Sequence, residues 1–264
     1  ANGRGAVALG NVVGSNISNI GLILGVASLV TPAKVDIALR GRELPMLVLS
    51  VALLPLLLWD GHVSTFESAA LLVVALVYTG LMVSSARGAS LTQATEGARE
   101  AALGADEAGA PKPSGGSLRA AVTAVVGLAI LLLGGNLFVG GAITVAQSLG
   151  MSDRVVGLTI VAIGTSLPEL VTSVIAAHRG HSDIAIGNVV GSNIFNVFLC
   201  LGAAGVAGPI VASNESVAFD LVALFVMTAL LGFYIRGERL VTRGEGAIVL
   251  GLFLAFMVVT ITRG

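Results

Sequence analysis

The chain has 264 residues, 55% of them hydrophobic and only 11% charged, with a net charge of −1. A soluble domain of this size cannot hide so much apolar surface, which excludes the ordinary globular class. No basic patch is present, which excludes a nucleic-acid binder.

Runs of about 20 apolar residues predict membrane-spanning helices. Eight are marked in chain order: 6–30, 44–59, 66–86, 118–149, 155–177, 184–207, 217–235 and 246–261. The second is short and carries Pro45 and Pro55; the fourth is long enough to require a tilt. Residues 89–117, rich in Ala, Gly, Ser and charge and holding Pro111 and Pro113, read as a linker, with a short surface helix near Thr95–Leu103. Alternating the sides places eleven of the fourteen Lys and Arg on one face, including those of the linker, so that face is expected to be cytoplasmic.

The segments GNVVGSNISNIGLILG (Gly10–Gly25) and GNVVGSNIFNVFLCLG (Gly187–Gly202) agree at 12 of 16 positions, at an offset of 177. The same offset pairs Pro32 with Pro209 and Glu43 with Asp220, and nearly the same offset pairs Glu67 with Glu245. Spans one to three therefore repeat as six to eight. Spans four and five lack counterparts, and the repeat predicts two further helices, about 60 residues, before Ala1. Five helices per repeat insert the halves in opposite orientations, as in secondary transporters. The expected organisation is 1–88 as the remainder of the first repeat, 89–117 as a cytoplasmic linker and 118–264 as the second repeat. The expected fold class is an all-α integral membrane protein of eight helices out of an intact ten.

GTSLPEL, Gly164–Leu170, interrupts the fifth span. Glu169 is the acid expected deepest in any span, where a charge costs roughly 2.5–3.5 kcal/mol on insertion scales. Pro168 cannot donate its backbone hydrogen bond and frees the carbonyl of Gly164. Thr165 and Ser166 precede Glu169 by four and three residues and share its helical face. Irregular backbone at this depth is tolerated where it lines a cavity or is buried in protein. The pairs Ser15/Asn19 and Ser192/Asn196, each four apart, present a hydroxyl and an amide carbonyl on one face. Gly10, Gly14, Gly187 and Gly191 allow close helix approach, and Asn11, Asn16, Asn188 and Asn193 are expected to tie helices together. These are hard oxygens, suited to Ca2+ with its 6–8 ligands, or to Na+.

Other polar residues read structurally. Glu43, Asp60, Glu67, Asp183, Asp220 and Glu245 fall at span ends, where acids cap helices or meet water. Asn136 beside Gly134, Gly135, Gly140 and Gly141 reads as helix packing, Cys200 as a small core residue, and His62, His178 and His181 as solvated loop residues.

GLTIVAIGTSLPELVTS followed by AIGNVVGSNIFNV resembles the second α-repeat of the sodium/calcium exchanger family, within the cation/calcium antiporter superfamily. ALGNVVGSNISNIGLILG resembles the second half of the first. The resemblance covers nearly the whole chain and is nearest to compact prokaryotic members. It implies a ten-helix fold and exchange of Na+ for Ca2+ by alternating access, in a prokaryotic inner membrane, without a cofactor or an obligatory protein partner. It makes Glu169 the carboxylate shared by both ions, with Thr165, Ser166, Ser192, Asn196, Ser15 and Asn19 as oxygen ligands, and 118–149 a gating helix. An aspartate stands at the position of Asn196 in some exchangers, so this chain lacks one potential carboxylate. The same residues leave room for a H+/Ca2+ antiporter or a passive cation channel. No Ser/His/Asp or Cys/His set lies on the spans, so no enzyme is expected.

Overall fold

The structure is a computed structural model that describes residues 2–35, 39–103, 117–151, 153–208, 210–211, 214–237 and 240–263. It is helical almost throughout. In chain order the α-helices are α1 (Asn2–Ser18), α2 (Gly25–Val30), α3 (Leu44–Leu57), α4 (Thr65–Leu103), α5 (Ser117–Ser148), α6 (Asp153–Val156), α7 (Ala162–Thr165), α8 (Leu167–His178), α9 (Ser182–Phe195), α10 (Gly202–Ala207), α11 (Asn214–Gly237) and α12 (Arg243–Arg263). Wider π-wound turns fill Asn19–Leu24, Leu39–Glu43, Gly157–Val161 and Asn196–Leu201. Among the described residues, four two-residue strands complete the elements: β1 (Ala33–Lys34), β2 (His62–Val63), β3 (Ile210–Val211) and β4 (Leu240–Val241).

Among the described residues, six stretches of helix are long and apolar enough to cross a membrane: Ala8–Val30, Thr65–Ser85, Val125–Ser148, Ser182–Ala207, Val217–Arg236 and Arg243–Arg263. A seventh is the broken pair Leu158–Thr165 and Leu167–His178, bent by 52°. The remaining expected span, α3, has 14 residues, about 21 Å of helix at the usual rise and less than the hydrocarbon thickness. Pro45 at its start limits it, and the π-wound Leu39–Glu43 leads into it. α4 does not stop at the membrane edge but continues to Leu103, because residues 89–103 are dominated by strong helix formers such as Ala, Glu and Arg. The rest of the expected linker, 104–116, lies outside the described residues.

The repeat is visible element by element. An offset of 177 carries Asn19–Leu24 onto Asn196–Leu201, α2 onto α10 and β1 onto β3. The halves interlock reciprocally. β1 pairs antiparallel with β4, and β2 with β3, so each half's first strand pairs with the other half's second. α2 packs on α12, and α10 on α4. Two sites of that contact leave no room for a side chain. A Cβ on Gly246 would come within 2.7 Å of Ser28 Cβ, and one on Gly205 would overlap Ser68. Ser28 and Gly205 are equivalent in the two repeats, as are Ser68 and Gly246, so serine and glycine trade places across the two-fold relation.

The core is built around the duplicated segments. Ile17, Ile20, Ile23, Leu24, Ile186, Ile194, Phe198 and Leu201 are all buried within it. Outward, large apolar side chains are bare: Leu76, Phe66, Leu137, Phe233 and Val258 are all exposed. An apolar exterior of this extent is a lipid-facing one.

Several expectations differ from the described structure. Cys200 is exposed, not a core residue. Asn136 is exposed, and among the described residues nothing lies within 4 Å of a Cβ placed on Gly134, Gly135, Gly140 or Gly141. α5 instead touches the core through residues such as Val139, which fills the space a Cβ on Gly164 would need, and Ala146, which is buried. Asp220 does not meet water; it is buried within α11. Glu67 and Glu245 do cap helices, and His62, His178 and His181 are exposed.

Candidate ion site

The break in the fifth span opens after Thr165. Ser166 adopts a non-helical conformation (φ −95°, ψ 3°), and Pro168 sits in the first turn of α8. Proline suits that position, where its missing N–H costs nothing. Glu169 therefore lies in the first turn of a helix, where the backbone dipole favours negative charge and partly offsets the cost of burial.

Three segments share the pattern Ser/Thr-x-x-Glu, the sequence form of a capping box. Two of them close. Ser64 donates from its backbone N–H and its hydroxyl to Glu67 Oε2 (2.8 and 2.7 Å), and the Glu67 N–H returns a bond to Ser64 Oγ (3.3 Å). Thr242 and Glu245 form the same box at 2.7, 2.9 and 3.3 Å. The third, Ser166–Glu169, does not close. The Ser166 N–H bonds to the carbonyl of Ile163 (3.1 Å), and its hydroxyl caps nothing. Among the described residues, Glu169 Oε2 is buried without a hydrogen-bond partner. Among the described residues no salt bridge reaches it, and no cluster of three or more His, Cys, Asp or Glu exists that could hold a metal by side-chain type alone.

The neighbouring elements bring two of the other expected residues, Ser15 and Thr165, into contact, and hold Asn19 and Asn196 in a separate group. Ser15 Oγ and Thr165 Oγ1 are 3.1 Å apart, joining α1 to the break. Asn11 Oδ1 lies within reach of both hydroxyls, at 3.5 and 3.2 Å. Gly14 makes this approach possible: a Cβ there would meet Ala162 Cβ at 2.9 Å and the Leu158 carbonyl at 3.1 Å. Gly10 faces Leu158 at ordinary contact distance, whereas nothing described lies near Gly187 or Gly191. α8 packs on α9 and on the Asn19–Leu24 turn. Asn188 donates to Ser173 Oγ (3.0 Å) and to the Glu169 carbonyl (3.4 Å), fixing the height of α8 along α9.

Asn19 and Asn196 each open a π-wound turn, a rare geometry that recurs at functional sites. Asn19 donates to Asn193 Oδ1 and Asn196 to Asn16 Oδ1, both at 2.9 Å. Asn19 Oδ1 is buried and receives no hydrogen bond. Ser166 is buried beside the bend, and Ser192 is half-buried on α9; neither is hydrogen-bonded to the others. The roles of Asn16 and Asn193 at the centre were not assigned from sequence beyond tying helices together. The signal was their identical place in both repeats.

Two groups of polar side chains thus form, Ser15, Thr165 and Asn11 at the break and Asn16, Asn19, Asn193 and Asn196 at the centre, and among the described residues two buried acceptor atoms, Glu169 Oε2 and Asn19 Oδ1, receive no hydrogen bond. Buried acceptors left bare are costly unless something else meets them.

Comparison with known proteins agrees with this architecture. The sequence profile of the sodium/calcium exchanger protein family matches residues 1–84 and 119–262. The sodium/calcium exchanger MaX1 of Methanosarcina acetivorans is 32% identical over 278 residues, covering 96% of this chain and 79% of MaX1. The inner membrane protein YrbG of Escherichia coli (strain K12) is 34% identical over 257 residues, covering 95% of this chain and 76% of YrbG. The structure of the sodium-calcium exchanger NCX_Mj soaked with 2.5 mM Na+ and 0.1 mM Ca2+ superposes with a TM-score of 0.74 at 29% identity, covering 96% of this chain and 76% of that one. The chain is an integral membrane protein with the inverted-repeat exchanger fold, and it belongs to the sodium/calcium exchanger family, whose members are transporters and not enzymes.

Proposed function

We propose that the chain exchanges Na+ for Ca2+ across a prokaryotic inner membrane by alternating access, both ions using one midplane site between the repeats. Glu169 supplies the charge, and Thr165, Ser166, Ser15, Asn19, Ser192 and Asn196 supply neutral oxygens. The observation that carries this reading is the open capping box: of three Ser/Thr-x-x-Glu motifs, only the one in mid-span leaves a carboxylate oxygen buried and without a hydrogen-bond partner among the described residues.

The chemistry follows from that carboxylate. A bare anion in a low-dielectric interior is unfavourable, so the site favours an occupant before it moves. Ca2+ gathers 6–8 oxygens, and Na+ uses similar oxygens with less charge. Because both need Glu169, they compete, and competition for a shared ligand couples their movements. Half-helix ends and irregular backbone at the midplane are where secondary transporters hold their ions.

The coupling ion is tested with the protein in sealed vesicles. Radiolabelled Ca2+ uptake is followed with an outward Na+ gradient at fixed pH, and separately with a pH gradient in Na+-free medium. Uptake driven by Na+ alone is the expected result. Uptake driven by the pH gradient alone makes the protein a H+/Ca2+ antiporter with Glu169 as the proton carrier, and uptake indifferent to both makes it a passive pathway.

A further inference from the structure

An asparagine amide is nearly symmetric in shape, yet its two ends are opposite in function: one is an acceptor oxygen, the other an NH2 donor. For Asn19 and Asn196 to ligate a cation, their oxygens must face it. The centre of the fold contains a device that makes this choice, anchored on two backbone carbonyls, which can only accept.

The Asn193 carbonyl accepts from Asn16 Nδ2 (3.4 Å). That leaves Asn16 Oδ1 facing the other way, where it accepts from Asn196 Nδ2 (2.9 Å). Asn196 therefore keeps its oxygen free. The mirror image runs from the other repeat. The Asn16 carbonyl accepts from Asn193 Nδ2 (3.3 Å), and Asn193 Oδ1 accepts from Asn19 Nδ2 (2.9 Å). Asn19 keeps its oxygen free, and that atom is buried with no donor on it. Turning Asn19 or Asn196 over would set oxygen against oxygen at hydrogen-bond distance.

We infer that Asn16 and Asn193 are positioning residues: each reads the backbone of the opposite repeat and thereby turns the amide oxygen, not the nitrogen, of a site asparagine toward the cation. The inference rests on the exchange reading above and extends it. It explains why asparagine stands at both positions: aspartate lacks the donor for the backbone carbonyl, and glutamine is one methylene too long for the reciprocal fit. It also ties ligand orientation to the register between the repeats, since each amide is held by the other half's main chain.

The test uses Na+-driven uptake of radiolabelled Ca2+ by the protein in vesicles, reading KM and kcat. Asn193→Ala removes the acceptor that pins Asn19, and the KM for Ca2+ is expected to rise about 10–100-fold, as for other residues that orient metal ligands. Asn19→Asp has opposite effects in the two backgrounds. With Asn193 present it places a carboxylate oxygen against Asn193 Oδ1 and raises KM. In the Asn193→Ala background it restores KM, because a carboxylate offers oxygen whichever way it turns. Lost helix packing would not be repaired by that change. Asn16→Ala with Asn196→Asp is the independent twin, and it serves where one alanine variant fails to fold. An unchanged KM in the alanine variants, or no restoration by either aspartate, overturns the relay while the exchange reading stands. A wild-type protein without Na+-driven Ca2+ uptake overturns both.

Discussion

Ser68 occupies the space that Gly205 leaves by having no side chain, and at the equivalent contact Ser28 does the same against Gly246. One small side chain is thus divided between two helices at each of two sites related by the repeat. Gly205→Ala is expected to destabilise the protein by about 1–3 kcal/mol through overpacking. Adding Ser68→Gly should recover most of that loss, a coupling that a double-mutant cycle of thermal unfolding in detergent would read. Additive losses would show that the two residues do not share one space.

The two closed capping boxes separate structural acids from the acid of the proposed site. Glu67→Ala and Glu245→Ala each remove a carboxylate that holds a helix start. Each should cost about 1 kcal/mol of stability and lower the thermal midpoint, while leaving the KM for Ca2+ unchanged. A large KM effect at either position would put the site somewhere other than the mid-span break.

Thr165→Val keeps the shape at the break but deletes the hydroxyl shared with Ser15 and Asn11. The loss of one such interaction is about 1–1.5 kcal/mol, or up to about tenfold in KM for Ca2+. Transport with wild-type KM would mean that this hydroxyl serves only to join α1 to α7.

Much of the architecture was legible in the sequence because membrane burial writes long signals. The apolar runs, the 177-residue repeat and the GTSLPEL interruption each involve many residues or a costly one. What was not legible is short or relational. Strands of two residues, such as Ala33–Lys34 pairing with Leu240–Val241, carry no periodicity to read. α4 runs on to Leu103 because helix propensity does not stop where hydropathy does. Polarity and size suggest inward places for Asn136 and Cys200, but which side of an apolar helix is covered depends on its neighbours, and both are exposed. The carboxylate and hydroxyls proposed for the site stand out in the sequence as an interruption of an apolar span. That the Ser166–Glu169 box stays open while its two counterparts close is a matter of geometry alone.

The central claim is that Glu169 is the charge that binds the transported cation. Its most direct test is Ca2+ uptake into Na+-loaded vesicles by Glu169→Gln, measured beside Glu67→Gln at matched protein content. The neutral amide keeps the size of the side chain and removes its charge. The account predicts that Na+-driven uptake is lost in Glu169→Gln and retained in Glu67→Gln. Uptake in Glu169→Gln at the wild-type rate and KM would contradict it.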